Sequence, residues 1–398
     1  MTKISVPYPL IVGGHVCLDI IPAVQGRGFQ MVPGKLVDVG QAVLATGGAV
    51  ANTGLALHRI GIPVQLMGKI GNDILGEAIL SIFRKEHADL GNGMIIAEDE
   101  STSYSIVISP PDTDRMFLHC TGANDTFNSE DVKTSTLASA GLFHFGYPPL
   151  MRQMYQNDGA ETIRLMRKAK NAGVTTSLDL AKPDPDSTAG QLDWNPILKK
   201  VLPYVDLFFP SIEEILFMLR RDQYEAMLEQ HGSDRLIEQV DGDLLRDLSS
   251  ELVQMGAAVV VLKLGEHGLY MRTTADEARL SQTGKYAPLN KDKWANRELY
   301  IPCFQVGVAG TTGAGDCTIA GFLAGFAQRL SPEEVLIGAV GIGACNVEQP
   351  DATSGILPWE AVQERISVGW LQYVPKPYLS EFKPIPNPNV MVYQRPRD

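Results

Sequence analysis

The sequence lacks the short motifs of several enzyme classes. It has no GxxxxGK[ST] loop, and the two glycines after its first apolar run do not complete a GxGxxG turn, which weakens a dinucleotide-binding interpretation. HExxH and GxSxG are also absent, and the seven histidines are too scattered to give a zinc-binding spacing. The sequence therefore gives no indication of a Walker-type nucleotide site, a zinc site or a nucleophilic serine elbow.

Cysteine is scarce, and so are long apolar runs. The five cysteines are widely spaced and include no CxxC pair, and an odd number is a poor disulfide framework, so we expect a reducing, cytoplasmic location. The first ten residues contain two prolines and no apolar signal-peptide core. Because no stretch of about 20 uninterrupted apolar residues occurs, we expect no membrane span.

The composition describes a globular protein. With 398 residues, 44% hydrophobic and 20% charged, the chain can bury one large core or two ordinary ones. Its net charge of −12 argues against nucleic acid and anionic membranes as partners. A small anionic substrate is not excluded, because it responds to the local field and not to the total charge.

Apolar runs alternate with helical patterns through the middle of the chain. The runs are at 141–145, 174–179, 205–209 and 257–264. This alternation predicts an α/β fold with a doubly wound, mainly parallel sheet flanked by helices. Two patches with strand-like alternation, 15–46 and 102–120, do not fit that layer, and we expect them to form a small second sheet over its edge.

We expect one domain over residues 1–398. The highly charged stretch 222–251 is predicted to be a peripheral helical insertion. The proline-rich segment 374–398 is predicted to be a peripheral tail that wraps the surface or is mobile.

The most informative stretch is Gly-Thr-Thr-Gly-Ala-Gly-Asp at 310–316, which is followed at once by a small-residue, apolar helix pattern. Small residues leave the backbone N–H groups of 313–316 uncovered, and such a helix N-terminus favours anions. Asp316 would repel a stored phosphate, but it suits a base that takes a proton from a hydroxyl attacking that phosphate. A glycine-rich turn with an aspartate cap is the ordinary alternative.

Two further clusters are typical of polyol binding. Gly47 and Gly48 lie at a strand-to-helix turn and allow close approach to the backbone, and Asn52 can both donate and accept hydrogen bonds. Asp19 lies just past the first strand, where α/β sheets bind ligands. Each cluster also has an ordinary interpretation, as a glycine turn with a polar helix residue and as a turn aspartate.

Together these sites resemble the PfkB, or ribokinase-like, carbohydrate kinase family. The matching segments follow the order of the family's motifs from about residue 10 to residue 356. They comprise Gly47, Gly48, Asn52, Gly61 and Gly71 of the first signature, a GxDxxG-like stretch at 71–76, Arg115 in a lid hairpin, a PGAN-like turn at 121–124, an LGxxG-like segment at 264–268 and the second signature at 311–321.

The resemblance implies an α/β core with a β lid, ATP and Mg²⁺ as cofactors, and transfer of the γ-phosphate to a hydroxyl of a sugar-type substrate. It assigns Asp316 as the base and the backbone of Gly313, Ala314 and Gly315 as the anion hole. The implied acceptor-binding residues are Asp19, Gly47, Gly48 and Asn52. The implied nucleotide-binding residues are Gly265, Gly268, Thr312 and Asn346, with Glu214 near the magnesium through water.

Three positions depart from the family pattern. Gly310 replaces the usual Asp or Asn before Thr311, which puts activation by potassium in doubt. Ser211 replaces the Asn of the motif that organises magnesium water, although Glu214 is kept. Residues 351–353, Asp-Ala-Thr, replace the usual Gly-Ala turn.

The acceptor is predicted to be a free sugar or a sugar acid, because no Lys or Arg adjoins the Gly47–Gly48 pair to bind a phosphosugar. A nucleoside kinase is an alternative, with the base stacked on lid aromatics such as Phe29 or Tyr104. A catalytically weak, ligand-sensing regulator of the same fold is another, suggested by Gly310 and Ser211. An exposed lid edge also favours a homodimer through the lid.

Overall fold

The computed structural model describes residues 4–24, 32–110, 116–376, 379–387 and 389–396. Phe29 and Arg115 lie outside these residues. The strands are β1 Leu10–Gly14, β2 Cys17–Ile21, β3 Val43–Gly47, β4 Val64–Met67, β5 Lys69–Gly71, β6 Ile95–Ala97, β7 Tyr104–Ile108, β8 Met116–Cys120, β9 Leu142–Gly146, β10 Thr175–Leu178, β11 Leu207–Phe208, β12 Val259–Lys263, β13 Leu269–Thr273, β14 Glu298–Ile301, β15 Lys383–Ile385 and β16 Val392–Gln394. The helices are α1 Ala49–Ile60, α2 Ile74–Glu86, α3 Thr134–Ser139, α4 Arg152–Asn171, α5 Trp194–Val201, α6 Ile212–Leu219, α7 Arg221–His231, α8 Gly242–Gln254, α9 Glu277–Ser281, α10 Lys291–Trp294, α11 Ala314–Ala327, α12 Pro332–Val347 and α13 Trp359–Ser367.

The main sheet has the strand order β15-β16-β14-β13-β12-β11-β10-β9-β1-β4. The strands from β4 to β12 in that order are parallel, and β13, β14, β16 and β15 extend the sheet in antiparallel pairing. The predicted α/β fold with a mainly parallel sheet flanked by helices is therefore confirmed.

Strand β12 shows why the sheet carries helices on both faces. Its residues are apolar without interruption up to Leu262, and successive side chains point to opposite faces. Val259 and Val261 pack in one buried cluster with α11 and α12, whereas Val260 and Leu262 pack in a second cluster with α6 and α8. The sheet is thus buried on both sides, as a doubly wound fold requires.

A small second sheet is formed by β3, β2, β7 and β8, in that order. Strand β2 pairs with β3 and β7, and β7 pairs with β8, so the two patches expected to leave the main layer do come together. This sheet provides the predicted lid strands, and it connects directly to the main sheet because β2 follows β1 after only two residues.

The division of the chain into core, lid, insertion and tail stays a prediction, but the structure shows what two of these segments do. In the stretch predicted to be an insertion, α8 buries Leu245, Leu248 and Leu252 against the main sheet. The C-terminal segment adds β15 and β16 to the sheet edge. No helix in the described part of the chain has the length and apolar content needed to cross a bilayer.

Crowding between β1 and β9 generates a stability prediction. Gly14 has φ +125°, and a Cβ there would lie 2.2 Å from the carbonyl oxygen of Gly146. Gly173 also has a positive φ, +77°, but a Cβ there would meet nothing within 4 Å. Both alanine variants are strained, but only Gly14→Ala also clashes with backbone, so it should cost about 1–3 kcal/mol more unfolding free energy than Gly173→Ala.

Chemical denaturation of the two variants and the wild type measures this difference. Equal unfolding free energies for Gly14→Ala and Gly173→Ala would show that β1 and β9 do not approach as closely as described.

Candidate active site

The carboxyl ends of the parallel strands converge on the N-terminus of α11. Gly313, with φ +71°, precedes the helix, and no side chain caps this end. A Cβ at Gly313 would lie 2.8 Å from the carbonyl oxygen of Ala352, and one at Gly310 would lie 2.8 Å from that of Pro350. The glycines therefore let the loop pack against the segment after α12. The N–H of Ala314 donates to the carbonyl oxygen of Thr311 at 3.3 Å, and the amides that follow it in the first turn face out of the helix. This is the geometry of an anion site.

Asp316 lies in the first turn of α11 and is only 4% exposed. Its carboxylate accepts a hydrogen bond of 2.9 Å from the side-chain amide of Asn52 on α1. The hydroxyl of Tyr147, just after β9, lies 2.9 and 2.8 Å from the two carboxylate oxygens and donates to them. Two elements that are distant in sequence from α11 thus hold this side chain in one place.

Burial determines the protonation behaviour of Asp316. Removal from water raises the pKa of its carboxyl above the ordinary value of 3.8, although hydrogen bonds from Asn52 and Tyr147 and the nearby charge of Lys263 act in the opposite direction. A carboxylate with a raised pKa is a stronger base than an exposed one, which suits a group that accepts a proton from a hydroxyl.

Of the predicted acceptor-binding residues, Asn52 contacts this carboxylate, and Gly47 and Gly48 pack against neighbouring protein groups. Asn52 contacts Asp316 directly through its amide nitrogen, and its buried side-chain oxygen has no hydrogen-bond partner among the described residues. Gly48, with φ +85°, approaches His15, whose carbonyl oxygen would be 2.5 Å from a Cβ. Gly47 likewise lies against the carboxylate of Asp19. The two glycines therefore make room for protein groups that border the site.

Asp19 lies on β2 of the small sheet and is half-buried. Burial raises the pKa of its carboxyl, and the thiol of Cys17 donates to it at 3.4 Å. An acidic side chain on this strand can accept hydrogen bonds from polyol hydroxyls, which is the role that the sequence predicts for it.

Two histidines and a tyrosine at this site were not predicted from the sequence. His15 follows β1, and its Nε2 atom lies 3.4 Å from Nε2 of His119 on β8. The ring of His15 also lies 6.2 Å from that of Tyr147. Burial, followed by the charge of His119, lowers the pKa of His15 to about 3, so this imidazole is neutral at physiological pH. The sequence signal that could have identified His15, His119 and Tyr147 was their position at strand ends, because none of the three belongs to a short motif.

An ion pair lies beside the same helix end. Lys263, at the end of β12, places its ammonium 2.6 Å from the carboxylate of Asp179, which follows β10. Asp179 is fully buried and the Lys263 side chain is 13% exposed. Neither residue was singled out in the sequence, where each reads as part of an apolar strand.

Glu214 occupies the first turn of α6 and forms a reciprocal cap with Ser211. The backbone N–H of Ser211 donates to one carboxylate oxygen at 2.6 Å, and the Ser211 hydroxyl accepts from the Glu214 N–H at 3.1 Å. The serine that departs from the family pattern therefore orients Glu214. No cluster of three or more His, Cys, Asp or Glu able to hold a metal occurs in the described residues.

The predicted nucleotide-binding residues lie on α12, in the loop before α11 and in the turn between β12 and β13. Asn346 on α12 donates to the carbonyl oxygen of Thr312 at 2.8 Å and so ties the helix to the loop before α11. Gly268, with φ +101°, packs on β14, because a Cβ would lie 2.0 Å from the carbonyl oxygen of Ile301. Gly265 has φ +56° and open space where a Cβ would be. Its turn borders a cavity of about 440 Å³ lined by Glu266, His267, Tyr300, Pro302, Gln305, Tyr373, Val374 and Lys376.

A buried carboxylate at an uncapped helix end, beside a parallel sheet with a small second sheet over it, defines a small-molecule phosphotransferase of the ribokinase-like class. The model of the pfkB family carbohydrate kinases matches residues 10–360, and the chain belongs to this family. The resemblance inferred from the motifs is confirmed.

Individual relatives agree with this assignment. The 2-dehydro-3-deoxygluconokinase of Bacillus subtilis is 24% identical over 327 residues, 81% of this chain and 87% of that protein. The probable fructokinase-3 of Arabidopsis thaliana is 29% identical over 168 residues, 42% of this chain and 46% of that protein. Among solved structures, Arabidopsis thaliana ribokinase complexed with ribose and ATP has a TM-score of 0.65 at 18% identity, and the alignment covers 90% of this chain and 98% of that one. The fructokinase of Xylella fastidiosa with bound ATP has a TM-score of 0.65 at 20% identity, with the same coverage. These two structures share the fold.

The raised pKa of Asp316 predicts a pH-dependent cost in stability. The folded protein binds this proton more tightly than the unfolded chain, so the wild type loses unfolding free energy as pH rises from the ordinary pKa through the raised one. Asp316→Asn lacks this loss. The unfolding free energy of the variant minus that of the wild type should therefore increase as the pH rises from about 4 through the raised pKa, by about 1.4 kcal/mol for each unit of pKa difference.

Denaturant titrations of both proteins at several pH values give this difference directly. A difference that stays constant with pH would mean that Asp316 titrates alike in the folded and unfolded chains.

Proposed function

We propose that this chain transfers the γ-phosphate of ATP to a hydroxyl of an unphosphorylated sugar or sugar acid, with Asp316 as the base. The observation that carries the proposal is the buried Asp316 carboxylate, held by Asn52 and Tyr147 at the amide end of α11. Membership of the pfkB family supports the same activity. The named relatives include kinases for a sugar acid and for fructose, so both acceptor classes remain in the proposal.

In the proposed reaction an acceptor hydroxyl attacks the γ-phosphorus in line with the leaving group. A new O–P bond forms, the bond from the γ-phosphorus to the bridging oxygen breaks, and ADP leaves with the electron pair. Asp316 takes the proton of the hydroxyl, and the N–H groups of Gly313, Ala314 and Gly315 stabilise charge on the transferring group. Magnesium, when bound, would neutralise charge on the phosphates, and Glu214 would hold it through water.

The acceptor is proposed to lie between Asp316 and the small sheet. Asp19 accepts hydroxyl hydrogens, and the neutral imidazole of His15 offers a hydrogen bond without a charge. Residues of the small sheet also close over the reacting groups, which limits transfer to water. The nucleotide is proposed to lie along Thr312, Asn346 and the turn from Gly265 to Gly268.

The nucleoside-kinase alternative is kept because Tyr104 lies half-buried on β7 of the small sheet, in a position to stack on a base. The regulator alternative predicts that ATP binds without any acceptor being phosphorylated. ADP release measured with a panel of sugars, sugar acids and nucleosides distinguishes the three functions.

Removing the base predicts a specific kinetic loss. Asp316→Asn should bind ATP but lose about 10²–10⁴ in kcat, because no carboxylate is left to accept the proton. Asp158→Asn is a matched control, since that carboxylate is exposed on α4 and pairs with Lys200 outside the site. Steady-state assays with the best acceptor and calorimetric ATP binding give the two quantities. Wild-type turnover in Asp316→Asn would remove Asp316 from the role of base.

We further propose that the protein is cytoplasmic and forms a homodimer through the small sheet. All five cysteines are free thiols, which suits a reducing compartment. Among the described residues β3 and β8 are the outer strands of this sheet, and they expose Val43, Leu44, Met116, Phe117 and Leu118. Exposed apolar strands at both edges are the kind of surface that a second copy covers.

The dimer proposal predicts that charge on the apolar strands lowers the oligomeric state. Leu44→Asp combined with Phe117→Asp should shift sedimentation to the monomer, whereas Val368→Asp, at an exposed residue after α13, should leave it unchanged. A monomeric wild type at micromolar concentration would contradict the proposal.

A further inference from the structure

We propose that Lys263 is a further catalytic residue, whose ammonium contacts the transferring phosphoryl group at the amide end of α11. The inference rests on the proposed phosphotransfer reaction and adds a group that the predicted site does not contain. Its basis is the position of Lys263, the charges around it and the geometry of Gly315.

The position of Lys263 depends on a backbone hydrogen bond to Pro210 and on the absence of a side chain at Gly315. Its N–H donates to the carbonyl oxygen of Pro210 at the end of the central parallel strand β12. Its side chain then runs past the first turn of α11, where a Cβ on Gly315 would lie 3.5, 3.8 and 3.8 Å from Cδ, Cε and Nζ of the lysine. The ammonium therefore lies beside the amides that are proposed to bind the transferring group.

The charges around Lys263 indicate an electrostatic role for its ammonium. Asp179 contacts it at 2.6 Å, and the charges of Glu214 and Asp316 are near enough to act on it. Burial lowers the pKa of the lysine, but these carboxylates outweigh burial and raise it, so the group stays protonated. Three carboxylates around one helix end would repel a phosphoryl group. A positive charge among them reduces that repulsion at the place where the anion must bind.

The ion pair with Asp179 positions the ammonium of Lys263 and occupies only part of its hydrogen-bonding capacity. An ammonium has three donors, and the contact with Asp179 Oδ1 occupies one of them. The second oxygen of Asp179 is buried without a hydrogen-bond partner among the described residues, so this carboxylate is poorly solvated and depends on Lys263. Two donors of Lys263 remain for phosphoryl oxygens, as when lysine binds phosphate as a point charge.

The competing explanation is that Lys263 only neutralises Asp179. Single substitution cannot separate the two roles, because Lys263→Met leaves a buried carboxylate unpaired. The double variant Lys263→Met, Asp179→Leu removes the pair together, keeps the net charge and restores an apolar interior. It should fold stably, because a buried ion pair can be replaced by apolar residues without loss of stability.

Kinetics of the two variants test the proposal. Both should lose about 10²–10³ in kcat with a smaller change in the acceptor KM, because the ammonium acts most strongly on the charge of the transition state. Lys170→Met is the matched control. Lys170 pairs with the buried Asp206 just before β11, at the amino ends of the parallel strands, and Arg279 also pairs with Asp206 at 2.7 Å. This variant removes a buried lysine partner away from α11, so it should keep kcat. Wild-type kcat in the double variant would overturn the proposal, and so would wild-type kcat in Lys263→Met.

A failure of the proposed function gives a different result. If the wild type phosphorylates no acceptor, the phosphotransfer proposal fails. The contact between Lys263 and phosphate is then tested by measuring the affinity for ATP with Mg²⁺ by calorimetry. The double variant should then bind about 10-fold more weakly than the wild type, since a charged hydrogen bond is lost. Equal affinities would overturn the contact of Lys263 with phosphate.

Discussion

The structure of the site depends on the burial of one carboxylate, that of Asp316, at the end of a helix whose first amides face outward. An ionised group in this place is stable only with donors around it, and α1 and the segment after β9 supply them through Asn52 and Tyr147. The packing of α1 on α11 and the position of β9 beside β1 bring these two donors to the carboxylate. Burial raises the pKa of the carboxyl, and a raised pKa suits the proposed role of Asp316 as a base.

The small sheet and the main sheet meet at this carboxylate. His15 follows the main-sheet strand β1 and reaches His119 on β8, and Gly47 ends β3 against Asp19 on β2. In the proposed function, a sugar held by the small sheet would have its hydroxyl near Asp316, and a nucleotide along Thr312 and Asn346 would present its terminal phosphate to the same helix end. The proposal thus has two binding surfaces with one reacting position between them.

The sequence predicted the features that depend on short-range backbone conformation and on hydrophobic patterning. The strand-to-helix turn predicted at Gly47 and Gly48 is present, because β3 ends at Gly47, and Gly48, with positive φ, precedes α1. The apolar run at 257–264 contains β12, and 310–316 forms the uncapped start of α11. Contacts between distant segments could not be predicted in this way. Asn52 and Asp316 are 264 positions apart, and Tyr147 and Lys263 belong to no motif, so their convergence depends on strand order and helix packing. The C-terminal segment adds two strands to the main sheet that the sequence did not predict. Each strand has only three residues, so its alternation is too short to be recognised.

The most direct test is a crystal structure with a non-hydrolysable ATP analogue, Mg²⁺ and a sugar acceptor that the enzyme phosphorylates. The account predicts the γ-phosphate on the amides of Gly313 to Gly315, with one acceptor hydroxyl within hydrogen-bonding distance of the Asp316 carboxylate and in line with the phosphorus. A terminal phosphate bound away from the N-terminus of α11, or an acceptor whose hydroxyls do not reach Asp316, would contradict it.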